Sequence, residues 1–188
     1  MKKIAVVLMV IGLAAFLMAS VSVGQEKAAP KAEHKYVGAG KCKMCHNSPA
    51  KGEQFKKWSE GPHAKAFATL ATPEALEIGK KLGVDKPQES DKCLVCHVTA
   101  FSAPASAKDA TFSNADGVQC ETCHGAGSDF KDMKIMKDHA AAVAAGLNVP
   151  DEKLCVTCHN EKSPTYKKFV FADFAKQIAH PNPAKAAK

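Results

Sequence analysis

Apolar residues run unbroken from Ile4 to Met18 behind the basic start Met1-Lys2-Lys3. They give way to small residues at Ala19, Ser20, Ser22 and Gly24 before the polar Gln25-Glu26-Lys27. That succession predicts a secretory signal over residues 1–24, cleaved after Gly24. The competing reading is an uncleaved anchor, because the run from Ile4 to Val23 is nearly long enough to span a bilayer. Residues 25–35 (QEKAAPKAEHK) are too polar to fold alone and read as a flexible tether. Residues 36–181 read as one ordered domain, and residues 182–188 as a disordered tail.

Inside the domain the pattern is helical. Gln54, Phe55 and Trp58 fall on one side of a short helix that stops at Gly61-Pro62. Pro62 suits the first position of a following helix, on which His63, Phe67 and Leu70 make one stripe. Thr72-Pro73-Glu74 is an N-cap, first-position proline and first-turn acid, and Gly83 closes that helix. Residues 102–114 (SAPASAKDATFSN) are small and polar, a surface loop. Residues 132–145 predict one helix stopped by Gly146, with His139 sharing a face with Ile135, Met136, Ala142 and Val143. Ser163-Pro164 caps a further helical start; Phe171, Phe174 and Ile178 lead to His180, and Pro181 ends the run. The expected class is mainly α with extensive loops and little or no β-sheet.

The chemistry is carried by a motif that occurs four times. Cys42-Lys43-Met44-Cys45-His46, Cys93-Leu94-Val95-Cys96-His97, Cys120-Glu121-Thr122-Cys123-His124 and Cys155-Val156-Thr157-Cys158-His159 all read Cys-x-x-Cys-His and use all eight cysteines. Two thiols three positions apart add across the two vinyl groups of one haem, and the next histidine reaches its iron. Zinc ribbons also pair cysteines at this spacing, but four thiolates close their tetrahedron and leave the histidine without a task. A disulfide scaffold has no use for the histidines either. Four covalently attached haem c groups follow, in a small multihaem cytochrome c wrapped around them. Export through a signal agrees, because bacterial c-type haem is attached outside the cytoplasmic membrane. Aromatic residues make up only 6% of the chain, so the porphyrins themselves must be the core. Phe55, Phe67, Phe101, Phe112, Phe130, Phe169, Phe171 and Phe174 are available to pack on them. Trp58 reads as haem-edge packing. Gly117, Gly125 and Gly127 bracket the third motif, either as ordinary turn glycines or to let backbone approach a flat ring.

Four histidines lie outside the motifs: His34, His63, His139 and His180. Neutral imidazole is the usual second ligand of low-potential haem iron. His63, His139 and His180 sit on or at the end of predicted helices with apolar neighbours and are the candidate distal ligands. His34 lies at the end of the tether and is the candidate that completes a four-to-four match. Met133 and Met136 could ligate iron in principle, but methionine at helical spacing is more often packing. All basic residues are lysine, so bidentate phosphate recognition is absent and a nucleic-acid partner is not indicated. The formal charge of +7 is largely offset if each oxidised haem brings about −1. Lysines are then left to neutralise propionates and to form a docking surface.

The segments WSEGPHAKAF, KCLVCHVTAF, GVQCETCHGAG and LCVTCHNEKSP, in this order, resemble the tetrahaem cytochrome c-554 family, over residues 36–181. That resemblance implies stacked haem pairs in a mainly helical fold. It also implies that His46 is paired with His139, His124 with His180 and His159 with His63, leaving the His97 haem without a protein sixth ligand. This chain differs in a longer segment from the third motif to His139, a shorter one from the fourth motif to His180, and the extra histidine His34. The family's namesake takes electrons from hydroxylamine oxidoreductase.

The function expected is a periplasmic electron carrier between protein redox partners of a respiratory chain, hydroxylamine oxidoreductase-like or quinol-linked cytochromes among them. Stable membrane insertion after signal cleavage is not expected. No acid–base constellation calls for enzymatic chemistry. Two other functions fit the same motifs. One is a small haem enzyme reducing nitric oxide or a related nitrogen species at a five-coordinate iron. The other is a subunit of an extracellular cytochrome filament.

Overall fold

The computed structural model describes residues 34–180 and 183. The residues read as a signal, and most of those read as a tether and a tail, lie outside these residues. In chain order the helices are α1 (Ala39–His46), α2 (Gln54–Glu60), α3 (Ala66–Thr69), α4 (Pro73–Lys81) and α5 (Asp91–His97). They continue with α6 (Cys120–His124), α7 (Met133–Met136), α8 (His139–Ala144), α9 (Glu152–Cys155) and α10 (Phe171–Ile178). Among the described residues the only β-type pairing is an isolated bridge between Tyr36 and Lys108. The fold is mainly helical, in pieces of one or two turns. No helix of the described residues is long and apolar enough to cross a membrane.

Three motifs end a helix: α1 at His46, α5 at His97 and α6 at His124. Positions i, i+3 and i+4 share one face of a helix, so helical backbone delivers both cysteines and the histidine to the same side. In the fourth motif α9 stops at Cys155, yet the amides of Cys158 and His159 both return to the Cys155 carbonyl, at 3.3 and 3.0 Å. The spacing of a helical turn is kept without a continuous helix.

Local chemistry explains most boundaries. Thr72 Oγ1 accepts from the Ala75 amide at 3.2 Å, and Pro73 opens α4. Gly83, at φ +67°, takes the left-handed position after that helix. The helix expected over residues 132–145 is two helices. Asp132 caps α7, and Asp138 caps α8 by accepting from the Ala140 and Ala141 amides. An aspartate that bonds the next turn's amides holds its own backbone extended and breaks the run. His139 is therefore the first residue of α8 rather than part of a stripe with Ile135 and Met136. The start expected at Ser163-Pro164 is also displaced: the chain turns there and α10 begins only at Phe171. Phe169, just before it, stacks on His159 with centroids 5.0 Å apart and planes at 16°.

The apolar core made by side chains alone is small. Leu70, Leu94 and Val98 cluster with Phe67, Cys93 and Phe101 packed against them, all around the second motif. Val37, Ala39, Phe130 and Ala142 are buried separately. The ordered contacts reach back past Tyr36: the Lys35 amide donates to Ser128 Oγ at 2.9 Å and its carbonyl accepts from the Ser128 amide at 3.1 Å.

Candidate haem centre

Because each motif histidine closes a helical turn, its ring can be oriented by whatever carbonyl lies beside it. His97 Nδ1 is 2.7 Å from the Ala66 carbonyl, and His124 Nδ1 is 3.2 Å from the Asn148 carbonyl. A carbonyl oxygen only accepts, so Nδ1 must carry the proton in both, and Nε2 keeps the lone pair that a metal needs. Asn148 also donates to the motif itself: its amide to the His124 carbonyl at 2.9 Å and its side chain to the Cys123 carbonyl at 3.0 Å. The His46 ring hydrogen-bonds the Gln54 side chain. Burial holds His46, His63, His124 and His159 below the ordinary imidazole range. For all four, desolvation is the largest cause, and it favours the neutral, ligating form.

Two histidine pairs face each other across the molecule. The centroids of His63 and His159 are 6.0 Å apart with planes at 65°, and those of His124 and His180 are 5.9 Å apart with planes at 52°. An imidazole nitrogen lies about 2.0–2.1 Å from a first-row metal, so two rings on opposite sides of one metal have centroids about 6.3 Å apart. Both rings then contain the nitrogen–metal axis, which leaves the angle between their planes free. The observed separations fit an iron between each pair. These are two of the three partnerships that the resemblance implies. His139 lies exposed at the start of α8, and among the described residues no ring contact joins it to His46. Helix α10 serves both pairs: its Phe174 stacks on Phe169 at 5.1 Å, Phe169 stacks on His159, and His180 follows the helix end.

Cysteines of different motifs approach one another. Cys42 and Cys120 share a hydrogen bond, which together with burial pushes the Cys120 thiol up. Burial, and then the neighbouring Cys158, push the Cys96 thiol up to about 11. Burial raises Cys123 as well, with Cys155 and Cys158 adding to it. The first motif thus adjoins the third, the second adjoins the fourth, and the third adjoins the fourth.

His34 has a different neighbourhood. Its Nδ1 is 2.7 Å from Asp129 Oδ2, and its ring atoms pass 3.5–3.7 Å from where a Cβ on Gly146 would lie. Among the described residues no ring contact joins it to His97. Trp58 donates Nε1–H to the Val118 carbonyl at 2.8 Å and lies 5.3 Å from Phe55, so it ties α2 to the strand of chain entering the third motif. The three glycines around that motif each lie close to backbone or side chain. Gly117 abuts the His63 carbonyl, Gly125 the Gly146 carbonyl, and Gly127 the Glu121 carboxylate.

Sequence reasoning missed Glu121 and Gln119. Gln119 Oε1 accepts from the Ala39 amide at 2.7 Å, and its amide N–H donates to the Ser113 carbonyl at 2.8 Å. Thr99, just past the second motif, accepts from the Gln119 amide at 2.6 Å and meets Thr122 Oγ1 at 2.7 Å. The partners at Val37, Gly38 and Ala39 are 80–84 residues away in sequence, and a scattered acid or amide carries no local signature.

The family described as "Cytochrome c554 and c-prime" matches residues 41–125, and that described as "Doubled CXXCH motif" matches residues 112–164. Cytochrome c-554 of Nitrosomonas europaea is 32% identical over 124 residues, which are 64% of this chain and 49% of that protein. The chain is similar to cytochromes of the c-554 family over these residues. It is a multihaem c-type cytochrome with covalently bound haem c. It spans about half the length of the curated relative that it matches. No solved structure matches.

Proposed function

We propose that this chain is an exported, periplasmic electron carrier holding four covalent haem c groups and exchanging single electrons with protein partners. The observation that supports it best is the pair of facing imidazoles at 6.0 and 5.9 Å. Bound haem supplies a one-electron iron couple; paired imidazoles keep it at low potential. Cys42 and Cys45, Cys93 and Cys96, Cys120 and Cys123, and Cys155 and Cys158 would hold the four groups. His46, His97, His124 and His159 would be proximal ligands. His63 serves the His159 side and His180 the His124 side, with His139 assigned to His46 on the family's pattern. The contact order of the cysteines supports a continuous conduit running from the first motif through the third and fourth to the second. Partners are redox proteins of a respiratory chain, with hydroxylamine oxidoreductase-like or quinol-linked cytochromes as the candidate classes. The test is a spectropotentiometric titration of the purified holo-protein, in which four one-electron couples are expected. An absence of reversible couples overturns the reading.

Intact mass checks the load. Mature protein is expected at its polypeptide mass plus four haems, and a Cys93→Ser, Cys96→Ser variant at three. A variant that still carries four would show that the second motif attaches none.

We read His34, whose Nδ1 lies 2.7 Å from Asp129 Oδ2, as held by that carboxylate rather than by iron. A half-exposed histidine–carboxylate contact of this kind is worth about 0–1 kcal/mol. His34→Ala is therefore expected to leave stability and the spin state of every haem nearly unchanged. A new high-spin signal in that variant, read by electron paramagnetic resonance, would put His34 on iron instead. Ready binding of carbon monoxide by the unaltered protein would favour the alternative of nitrogen-oxide reduction at the His97 haem.

A further inference from the structure

Glu121 is the second residue of the third motif and is only 3% exposed. Buried carboxyl groups are costly unless hydrogen bonds replace their hydration. Here Oε1 accepts from the Val37 amide at 2.8 Å and the Gly127 amide at 2.7 Å, and Oε2 accepts from the Gly38 amide at 2.8 Å. Both oxygens accept and neither donates, which is the bonding pattern of the ionised form. No ion pair among the described residues includes Glu121. The negative charge is held by backbone dipoles alone.

Its position is what gives this charge a use. Gly38 is the N-cap of α1, whose next turn carries Cys42, and Glu121 itself follows Cys120. The carboxylate thus lies where the first and third motifs meet. Its three amide bonds tie the start of α1, through Val37 and Gly38, to α6, so the charge is fixed between the two motifs. A fixed anion inside the protein is screened far less than a surface charge, and it favours the more positive oxidation state of a nearby metal.

We propose that Glu121 is a positioning residue that lowers the reduction potentials of the two haems held at the first and third motifs. It makes that end of the conduit the more reducing one. The inference rests on the electron-transfer reading and adds a direction to it. Gln119 supplies the control, because its side chain docks the same N-terminal segment, through Ala39, without any charge.

The experiment is a spectropotentiometric titration of three holo-proteins: unaltered, Glu121→Gln and Gln119→Ala. Hydrogen exchange at the Val37, Gly38 and Ala39 amides is measured alongside. Glu121→Gln is expected to shift two couples upward and leave two in place. Gln119→Ala is expected to speed exchange at Ala39 with all four couples unmoved. If Glu121→Gln moves no couple, or Gln119→Ala moves the same two equally, the charge has no tuning role and the proposal falls. Should Glu121→Gln not mature, redox-difference infrared spectra of the unaltered protein decide instead. A carboxylate band that follows two of the four couples supports the proposal, and its absence overturns it. Loss of all reversible couples in the unaltered protein would sink the electron-transfer reading. Four couples indifferent to Glu121 sink this inference alone.

Discussion

Replacing His180 by alanine is expected to turn one low-spin haem into a high-spin one that binds carbon monoxide, and to leave the others as they are. The same substitution at His63 is expected to do this to a different haem. The two effects should add in the double variant, because the pairs share no ring. His180 faces His124 at 5.9 Å and His63 faces His159 at 6.0 Å, so each alanine removes one imidazole from one partnership. Methionine at either position should keep the haem six-coordinate while raising the potential of one couple only. Electron paramagnetic resonance and carbon monoxide titration read the first result, and spectropotentiometry the second. If either alanine variant leaves all haems low-spin, the facing rings are packing partners and the ligands lie elsewhere.

The chemistry of this chain is legible in its sequence because Cys-x-x-Cys-His is a local pattern. It needs one helical turn, and four different backbones supply that turn. Caps are local too, and Thr72-Pro73 marks the start of α4 as its residue types require. What is not local is hidden. Asp138 looks like one more exposed acid inside a periodic run, yet its two capping bonds split the helix and reassign His139. Phe169 looks like core stuffing; it stacks on His159 just before α10 begins. Glu121 sits inside the best-recognised motif of the chain, and its three amide donors come from residues on either side that no periodicity connects to it. His34 is a candidate ligand by count and by its place beside the ordered domain; that its Nδ1 lies 2.7 Å from Asp129 Oδ2 is another long-range contact the sequence does not show.

Those long-range bonds are also how a chain with so little apolar core keeps its histidines in place, and Gly117 is the sharpest case. Its backbone, at φ +65° and ψ −132°, lies in a region that residues with a Cβ rarely enter. A Cβ there would lie 2.7 Å from the His63 carbonyl oxygen, 3.1 Å from that of Ala64 and 3.2 Å from the Ala66 amide. All three are backbone atoms and cannot swing aside. The same His63 carbonyl accepts from the Val118 amide at 2.9 Å, so moving it away breaks the bond that fixes the turn carrying His63. Gly117→Ala is therefore expected to cost several kcal/mol, from about 1–3 kcal/mol of backbone strain and a comparable amount from overpacking. Part of that damage should appear as disturbed ligation at the His63–His159 pair. Gly83→Ala separates the two causes: Gly83 has φ +67°, but a Cβ there meets nothing within 4 Å, so strain alone should cost it about 1 kcal/mol. Thermal unfolding of both holo-variants, with their spin states, makes the comparison. Equal losses in the two would mean that the contact with His63 carries none of the effect.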